Sequence, residues 1–409
     1  MARDRFITGL DVGTSNICAL VGRVDPAGNI EVVGQGLSRS KGLSDGLVVD
    51  LEELSCSISK AMEEAQKSSS LEIYSVFANI TGTHLRGYNR QGMINLAERE
   101  KGISNRDIKN AIDYAKAISI PLDQEILHVI PQGYAVDDQD GVKNPLGMAG
   151  KRLTAAVHVV VVNLAQRENL KKCIHRAGFE VEGIVSEHLA TSYAILTKEE
   201  KDLGVILVNM GGGTTDIIIF INGAPWYTDV LPLGGLRLTE MISTSLKTPI
   251  DSAEDIKVRY GSALPSMVKS DEPIIVPGIS GRPQKKLTRR SLAELIEPEM
   301  RKMLCSLRER IEQSGYQERA VSGIVITGGG TLLEGTTEMA EATLRLPIKV
   351  GLAYGVQAAT KLLSNPIYTA AIGLIRYGAE LVHKRSRLRE KGILGKTIGR
   401  VRDWIQDYF

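Results

Sequence analysis

The feature that most constrains the fold is a pattern that occurs twice, almost 200 residues apart. The segments are GLDVGTSNICALVG, residues 9–22, and GVILVNMGGGTTDIIIFING, residues 204–223. Each contains an apolar run, a polar residue (Asp11 or Asn209), a short glycine turn and a second apolar run. Two such strand–turn–strand units predict two duplicated α/β halves that face each other across a cleft.

A third glycine turn lies in IVITGGGTLLEG, residues 324–335, again after an apolar run and before a helical pattern. Three turns of this kind, each at the end of a strand, are expected to converge on one ligand. The remaining periodicity predicts β-rich segments at 6–24 and 30–36 and a buried strand at 154–163. It also predicts three helices, at 51–66, at 104–119 (capped by Ser104) and at 165–177.

Size and composition limit which classes of protein this chain can belong to. The 409 residues exceed the ~250–300 that one core usually serves, so more than one packed unit is expected. Charged residues make up 24% and the net charge is +2, which describes a globular chain without bulk attraction to nucleic acid. The four cysteines form no CxxC pair, and no run of 18 apolar residues occurs, so a zinc site, a disulfide framework, a leader and a spanning helix are not expected.

Glycine turns after strands suit a phosphate chain. Without a Cβ, backbone N–H groups can approach phosphate oxygens closely, and the hydroxyls of Thr14, Ser15, Thr214 and Thr215 can donate to the same oxygens. Asp11 would be repelled by phosphates, so a Mg²⁺ between them, usually through water, is the natural assumption. The chain has no GxxxxGK[ST] motif, and no GxGxxG opens a helix after the first strand, so the P-loop and Rossmann classes do not fit.

These segments resemble the actin, sugar-kinase and Hsp70 superfamily. Residues 9–22 and 208–220 resemble its two phosphate loops, 324–335 its adenosine loop, and 182–196 and 365–378 its two connecting helices. Over nearly the whole chain the sequence resembles the FtsA family, the bacterial cell-division actin homologues. The resemblance implies a duplicated actin-like (ribonuclease H-like) two-domain ATPase fold with a nucleotide cleft, an inserted small subdomain and a C-terminal amphipathic helix.

The same resemblance implies a division of the chain. Domain 1 comprises subdomain 1A, an inserted subdomain 1C and the return to 1A, and domain 2 comprises subdomains 2A and 2B. The expected boundaries are 1–82 (1A, first part), 83–162 (1C), 163–197 (1A, second part), 198–334 (domain 2, with 2B at about 232–309), 335–383 (return to 1A), 384–391 (a basic, flexible linker) and 392–409 (a membrane-targeting amphipathic helix).

The resemblance also implies ATP and Mg²⁺ as cofactors. Glu187 stands where relatives carry the acid that orients the attacking water, and Asp11 would reach Mg²⁺ through water. Asn209 replaces the usual aspartate, so ATP binding with weak or absent hydrolysis is expected, and Asn209→Asp is expected to raise activity if the missing charge is limiting. The implied ATP-binding residues are Asp11, Gly13, Thr14, Ser15, Asn16, Asn209, Gly211, Gly212, Gly213, Thr214, Thr215, Asp216, Glu254, Lys257, Gly328, Gly329 and Gly330.

Residues 392–409 carry an amphipathic pattern after the basic run KRSRLREK, residues 384–391. Apolar positions recur at i, i+4, i+7, i+11 and i+14, with Arg402 at the boundary of the apolar face and charged residues opposite it, as in helices that lie on a membrane surface. The predicted membrane-facing residues are Ile393, Leu394, Ile398, Val401, Trp404, Ile405, Tyr408 and Phe409. The competing interpretation is a helix that docks in a partner's groove.

The segment at 282–304 resembles the region where FtsA proteins bind the C-terminal peptide of FtsZ, the tubulin-like ring protein. The implied partner-binding residues are Lys285, Arg289, Arg290, Glu299 and Lys302, although the charge order of the last two is inverted relative to the family pattern.

The implied function is an ATP-binding protein that polymerises at the inner face of the cytoplasmic membrane and tethers the FtsZ ring there. Further implied partners are other copies of the chain, an anionic membrane surface and later division membrane proteins, and the implied location is peripheral, at the division septum. The alternatives are a PilM-like platform for pilus assembly, a small-molecule kinase of the same superfamily, and an Hsp70-like chaperone. The kinase would need a further base in the cleft, and the chaperone a β-rich domain that does not follow.

Overall fold

The computed structural model describes residues 4–96, 102–117, 120–279 and 283–390, and at residues 384–390 it describes the backbone alone. The strands are β1 (Arg5–Val12), β2 (Asn16–Val24), β3 (Ile30–Arg39), β4 (Leu43–Ser44), β5 (Leu47–Val48), β6 (Ser75–Ile80), β7 (Arg86–Asn95), β8 (Gln124–Val136), β9 (Gln139–Val142), β10 (Arg152–Asn163), β11 (Glu180–Ser186), β12 (Val205–Met210), β13 (Thr215–Ile221), β14 (Ala224–Leu231), β15 (Pro273–Val276), β16 (Lys285–Thr288), β17 (Ile324–Thr327) and β18 (Ile348–Val350).

The α-helices are α1 (Leu51–Ser69), α2 (Asn105–Lys116), α3 (Leu164–Arg176), α4 (Glu187–Ile195), α5 (Lys198–Leu203), α6 (Gly235–Leu246), α7 (Ile250–Tyr260), α8 (Arg289–Gln313), α9 (Thr336–Leu344), α10 (Thr360–Leu363) and α11 (Thr369–Glu390). Short 3₁₀ turns cover Pro265–Met267, Gln317–Arg319, Gly329–Leu332 and Pro366–Tyr368. The three predicted helices are confirmed as α1, α2 and α3. Ser104 caps α2 as expected, because its hydroxyl accepts from the N–H of Asp107 and the Asp107 side chain accepts from the N–H of Ser104.

Two five-stranded sheets with the same topology form the two halves of the molecule. The first has the order β3-β2-β1-β6-β11 and the second β14-β13-β12-β17-β18. In each, the three strands at one end pair antiparallel and the strands that follow pair parallel. The predicted duplication of an α/β half is therefore confirmed.

A smaller subdomain is inserted between β6 and α3. Its sheet has the order β7-β10-β8-β9, and α2 packs on one face of it. The subdomain has a core of its own, built from the inward side chains of β8 and β10 and from Ala111, Ile112 and Ala115 of α2. Val157, Val159 and Val161 of β10 belong to this core, whereas Val160 and Val162 point to the other face and belong to the core of the first half, so this part of the strand is buried on both faces.

Helices α4 and α11 pack against each other and join the two halves. The core around them includes Leu20 and Phe77 of the first sheet together with Leu207 and Val325 of the second. Helix α11 carries Gly373 where it crosses α4, and a Cβ there would overlap the carbonyl of Ala190. The absence of a side chain at Gly373 is thus what lets the two helix backbones meet.

The structure differs from two of the expected boundaries. Strand β18 pairs with β17, and Met339, Ala340 and Leu344 of α9 lie in the core of the second half, so this half extends to about residue 350 rather than ending at 334. Helix α11 continues to Glu390 and includes most of the expected linker at 384–391. Lysine, arginine, leucine and glutamate are good helix formers, which explains why the basic run continues the helix.

The eight predicted membrane-facing residues, from Ile393 to Phe409, lie outside the described residues. Within the described residues, no helix is both long enough and apolar enough to cross a membrane.

Candidate functional site

The first two glycine turns are equivalent parts of two equivalent hairpins. Asp11 pairs with Cys18 across β1 and β2, and Asn209 pairs with Asp216 across β12 and β13. Each turn is closed by the same hydrogen bond, from the N–H of Gly13 to the carbonyl of Asn16 (3.1 Å) and from that of Gly211 to that of Thr214 (2.8 Å). Asp11 in one half and Asn209 in the other therefore occupy equivalent positions.

These two turns face each other in direct contact. A Cβ built on Gly212 would overlap the hydroxyl of Ser15, and one on Gly213 would lie 2.8 Å from the hydroxyl oxygen of Thr14. A larger residue at either glycine would push the turns apart, so the glycines set how closely the two halves approach.

The tips of both turns carry backbone donors without acceptors. Within the described residues, the N–H groups of Thr14, Ser15, Gly212 and Gly213 donate no hydrogen bond to another part of the chain. Of these residues, Thr14, Ser15 and Gly212 are partly exposed, whereas Gly213 is buried. The three partly exposed donors, on two facing turns, form an arrangement that suits an anion such as a phosphate chain.

The third glycine turn packs on the end of β12. Gly328 has φ +87°, and a Cβ there would collide with the carbonyl of Met210 and the side-chain oxygen of Asn209. Gly329 differs, because the nearest atom to its Cβ position is in Ile367, 3.8 Å away. The turn therefore needs glycine at 328 for its backbone, whereas a Cβ at 329 would make only an ordinary van der Waals contact with Ile367.

All three turns line one cleft between the halves. The cleft holds about 1350 Å³ of space between protein atoms, the open solvent at its mouth included. It brings together most of the predicted site, namely Asp11, Gly13, Thr14, Ser15, Asn16, Glu187, Asn209, Gly211, Gly212, Thr214, Asp216, Glu254, Lys257, Gly328, Gly329 and Gly330. The predicted convergence of three glycine turns is confirmed.

Two predicted residues do not line the cleft. Thr215 lies at the position equivalent to Ile17 and faces inward, where its hydroxyl donates to the carbonyl of Leu233 at 2.6 Å. Side chains alternate along a strand, so the residue after Thr214 points to the other face. Gly213 packs against Thr14 and Asp45 instead of bordering the open space.

Three acids occupy the floor of the cleft. Burial raises the pKa of Asp11 and that of Asp216 to about 7 each. Burial raises the pKa of Glu187 well above its usual range, and the neighbouring charges of Asp11 and Asp216 raise it further. Such a cluster is costly when fully ionised, and a divalent cation nearby would favour the ionised forms.

Two amides hold the carboxylate of Glu187, which begins helix α4. The side-chain N–H of Asn209 donates to one oxygen at 2.7 Å, and that of Asn79 donates to the other. In this structure the side chain of Asn209 is therefore hydrogen-bonded to Glu187, a contact that the sequence alone did not reveal. Beside Glu187, His188 is buried, and burial lowers its pKa to about 3, so it is neutral.

Asp216 is held from both halves of the molecule. The hydroxyl of Thr81, which follows β6, donates to one oxygen at 2.5 Å, and that of Thr214 donates to the other at 3.3 Å. The side chain is 1% exposed. Asp216 therefore occupies a buried, hydrogen-bonded position on the cleft floor.

Glu254 and Lys257 form an ion pair on α7, with 2.7 Å between the Lys257 nitrogen and the Glu254 carboxylate. Lys257 also donates to the carbonyl of Gly235 (2.9 Å) and to the hydroxyl of Thr239 (2.8 Å). These bonds fix the pair against α6 at the side of the cleft, rather than leaving it as a solvated surface pair.

Sequence reasoning missed several cleft residues. Asn79 contacts Asp11 and Glu187, and Thr81 contacts Asp216. A signal was present, because a polar residue in the apolar strand SVFANI beside β1 is unusual unless it is hydrogen-bonded. Asn79 lies beneath the cleft, whereas Thr81 lines it. The other missed lining residues are Cys18, Gly235, Leu238, Val258, Gly261, Leu332, Leu333, Pro366, Ile367, Thr369 and Ala370.

The predicted partner-binding residues lie on β16 and α8 of the second half, away from the cleft lining. Lys285, Arg290 and Lys302 are exposed. Arg289 is committed within the chain, since its guanidinium donates to the carboxylate of Glu334 at 2.5 Å and to the carbonyl of Tyr260 at 3.1 Å. Glu299 accepts from Arg237 at 3.0 Å and from Lys302 at 3.3 Å.

Three family models match the chain. The model described as "Cell division protein FtsA" matches residues 206–373, "SHS2 domain inserted in FTSA" matches residues 82–161, and "Hsp70 protein" matches residues 148–224. The second match falls on the inserted subdomain.

Proteins that are similar over the whole length of the chain are also FtsA proteins. The "Cell division protein FtsA" of Pseudomonas aeruginosa is 40% identical over 415 aligned residues, which cover 99% of this chain and 98% of that protein. An alignment of this length includes the inserted subdomain as well as both halves.

Two solved structures have a similar fold. A PilM–PilN type IV pilus biogenesis complex aligns with TM-score 0.66 at 17% identity, over 91% of this chain and 98% of that one. MreB 5 of Spiroplasma citri bound to AMPPNP aligns with TM-score 0.57 at 14% identity, over 94% and 99%. At these identities the likeness shows the actin-like fold alone, so it gives the pilus alternative no support against the full-length sequence match. The chain belongs to the FtsA family of cell division proteins.

Proposed function

We propose that this chain binds ATP with Mg²⁺ in the cleft and uses the bound nucleotide to hold its two halves together. The observation that carries the proposal is the contact between the two glycine turns, one from each half, with unpaired N–H groups at both tips. A triphosphate between them would accept from donors of both halves at once. The MreB relative of similar fold is bound to an ATP analogue, which agrees with this use of the cleft.

Each group of cleft residues has a role in this proposal. The first two turns hold the phosphates, with Thr14 and Ser15 as hydroxyl donors, while the hydroxyl of Thr214, which also lines the cleft, donates to Asp216. The third turn, Gly328 to Gly330, borders the adenosine, and the Glu254–Lys257 pair lies beside the ribose. Bound Mg²⁺ would supply positive charge that offsets the phosphates and the floor acids. Asp11 and Asp216 provide the carboxylates for water-mediated contact with it.

We propose that hydrolysis is slow or absent. Glu187 is the residue placed to orient an attacking water, and it needs an ionised carboxylate for that role. Both of its oxygens already accept from amides, and burial raises its pKa, which favours the protonated carboxyl over the ionised form that the role requires. Asn209 brings no negative charge to the metal side. Rapid phosphate release in a single-turnover assay of the purified chain would contradict this part of the proposal.

In the cell, we propose that the chain assembles into filaments on the inner face of the cytoplasmic membrane at the division septum and tethers FtsZ there. Exposed Lys285, Arg290 and Lys302 provide a basic surface for the acidic C-terminal peptide of FtsZ. Residues 392–409 supply the amphipathic pattern for an anionic membrane surface. Later division membrane proteins would join this assembly.

Substitutions at Gly329 test the cleft directly. Gly329 lines the cleft, and a Cβ there would meet no backbone atom within 4 Å. A leucine there would occupy part of the cleft, so Gly329→Leu is expected to weaken ATP binding by about tenfold or more while the chain stays folded. Gly329→Ala is the matched control, because its Cβ meets nothing closer than 3.8 Å. Equal ATP affinity of the parent and Gly329→Leu, measured by equilibrium dialysis, would contradict the proposed site.

A further inference from the structure

Asn79 is a fully buried polar residue at the carboxyl end of β6. Its exposure is 0%, and its neighbours Ala78 and Ile80 belong to the apolar core of the first half. A buried amide is costly unless it is hydrogen-bonded. The partners of Asn79 therefore indicate why an amide stands there.

The Asn79 side chain makes three hydrogen bonds, all at the floor of the cleft. Its oxygen accepts from the N–H of Val12 at 2.6 Å, directly before the first glycine turn. Its nitrogen donates to Asp11 at 2.6 Å and to the carboxylate of Glu187. Only an amide offers an acceptor and two donors in this shape. An aspartate would present a third carboxylate to two others, and a leucine would leave all three partners unpaired.

These bonds belong to a continuous series of hydrogen bonds that runs from the first half of the molecule to the second. Asp11 accepts from Asn79, Asn79 also donates to Glu187, and the other oxygen of Glu187 accepts from Asn209 at 2.7 Å. Asp11 and Asn209 are the equivalent residues that precede the first and second glycine turns. Asn79 therefore connects Asp11 and Glu187, the two acids of the first half, within this series of hydrogen bonds.

We infer that Asn79 is a positioning residue of the nucleotide cleft, which fixes the carboxylates of Asp11 and Glu187 relative to each other and to the first glycine turn. The inference rests on the proposed function, because these two acids would face the metal-bound nucleotide. Residues that orient metal-facing carboxylates typically contribute about tenfold to a hundredfold in metal affinity when they are mutated. Asn79 touches no substrate atom in this account, and it acts through the two acids.

A purely structural role predicts a different result. If Asn79 only satisfies the buried N–H of Val12, its loss lowers stability but weakens ATP binding equally with and without Mg²⁺. If it positions Asp11 and Glu187, the loss falls mainly on the Mg²⁺-dependent part of the affinity, because the triphosphate itself is held by the glycine turns.

The experiment compares ATP affinity of the full chain in Mg²⁺ and in EDTA for the parent, Asn79→Ser and Asn79→Leu. The serine variant leaves room for a water in place of the amide, and the leucine variant keeps the volume but removes all three bonds. Asn89→Ser is the matched control, because Asn89 is an amide in a comparable network outside the cleft. It donates to the carbonyl of Trp226 at 2.8 Å and contacts the ring of His158 at 2.7 Å.

We expect both Asn79 variants to lose about tenfold or more of their affinity in Mg²⁺ and clearly less in EDTA, with no such difference for Asn89→Ser. The inference is overturned if the loss is the same in both conditions, if Asn89→Ser shows the same difference, or if neither Asn79 variant folds while Asn89→Ser does.

A nucleotide-free measurement separates this inference from the proposed function. If the parent chain binds no ATP, the proposed function fails, and a double-mutant cycle in urea with Asn79→Ser and Glu187→Gln decides whether Asn79 holds Glu187. Non-additive changes in unfolding free energy would support that link, whereas additive changes would overturn it.

Discussion

At the scale of single residues, the substitution of an amide for an acid at Asn209 changes how the cleft floor is held together. The equivalent residue in the first half is Asp11, so the two halves present an acid and an amide at matching positions. An aspartate at 209 would face the Glu187 carboxylate across the 2.7 Å that now separates donor and acceptor. Asparagine therefore stabilises the floor of the nucleotide-free cleft, and it brings no negative charge to the proposed Mg²⁺.

Replacing Asn209 by aspartate tests this balance. Two carboxylates at hydrogen-bonding distance cannot both ionise cheaply, so Asn209→Asp is expected to lower the unfolding free energy of the nucleotide-free chain at neutral pH by about 1–3 kcal/mol. Urea unfolding measures this, with Asn89→Asp as a control outside the cleft. Any gain in hydrolysis from the added charge, as the sequence led us to expect, should then require Mg²⁺. An Asn209→Asp chain as stable as the parent without nucleotide would contradict the contact.

The raised pKa of Asp216 predicts a pH-dependent stability difference. Its folded pKa of about 7 lies above the ordinary 3.8, so the folded chain keeps a proton that the unfolded chain releases. The free energy of unfolding that depends on this group therefore falls as pH rises from about 4 to about 7. Buried histidines with lowered pKa, such as His128 and His158, act in the opposite direction, so the useful quantity is a difference between variants.

We expect Asp216→Asn, which cannot ionise, to gain stability relative to the parent as pH rises through that window. Urea unfolding of both chains without nucleotide, at intervals from pH 4 to pH 8, measures the difference. A difference that is constant with pH, or that shrinks as pH rises, would show that the carboxyl of Asp216 is already ionised at low pH.

At the scale of secondary-structure elements, the crossing of α4 and α11 is the contact that sets the position of Glu187. Helix α4 begins at Glu187, and its Ala190 lies against Gly373 of α11. Movement of either helix would therefore shift the acid relative to the glycine turns.

Gly373→Ala should force the two helices apart. Overpacking of this kind costs about 1–3 kcal/mol, so the unfolding free energy should fall by that amount, and ATP affinity should fall as well because Glu187 moves. Gly329→Ala, which adds the same methyl group at an ordinary contact distance of 3.8 Å from Ile367, should leave stability nearly unchanged. A Gly373→Ala chain with parental stability would show that the crossing has room for a side chain.

Helix α8 begins with two arginines that have different surroundings. Arg289 is bound internally to Glu334 and Tyr260, whereas Arg290 is exposed. Arg289→Ala is therefore expected to lower stability by about 1–2 kcal/mol. Arg290→Ala should leave stability unchanged and weaken binding of an acidic FtsZ tail peptide severalfold at low salt, as measured by fluorescence anisotropy. If Arg290→Ala lowered stability and Arg289→Ala weakened peptide binding instead, the roles assigned to the two arginines would be wrong.

At the scale of the whole molecule, the duplication was predictable because glycine turns after apolar strands are rare enough to be recognised in one sequence. The sequence did not predict that residues 336–350 belong to the second half, because the pairing of β18 with β17 depends on how the sheet assembles rather than on a local pattern. The role of Asn79 was equally hidden. Its partners Asp11 and Glu187 are 68 and 108 residues away in sequence. The parallel pairing of β6 with β1 brings Asp11 to Asn79, and the parallel pairing of β6 with β11 brings Glu187 there.

Attachment to membranes is a property of the whole chain that residues 392–409 are expected to confer. Removing them should abolish flotation with liposomes that contain anionic lipid, because several large apolar side chains would no longer be available to enter the interface. Trp404→Glu in the full chain is a milder variant and should reduce flotation strongly. Equal flotation of the truncated and full chains would place the membrane contact elsewhere.

The most direct test of the account is a crystal structure of the chain with Mg²⁺ and a non-hydrolysable ATP analogue. The account predicts the triphosphate between the turns at Gly13–Asn16 and Gly211–Thr214, accepting from the N–H groups of both halves, with the adenosine beside Gly328–Gly330. A nucleotide bound outside this cleft, or phosphates held by one half alone, would contradict it.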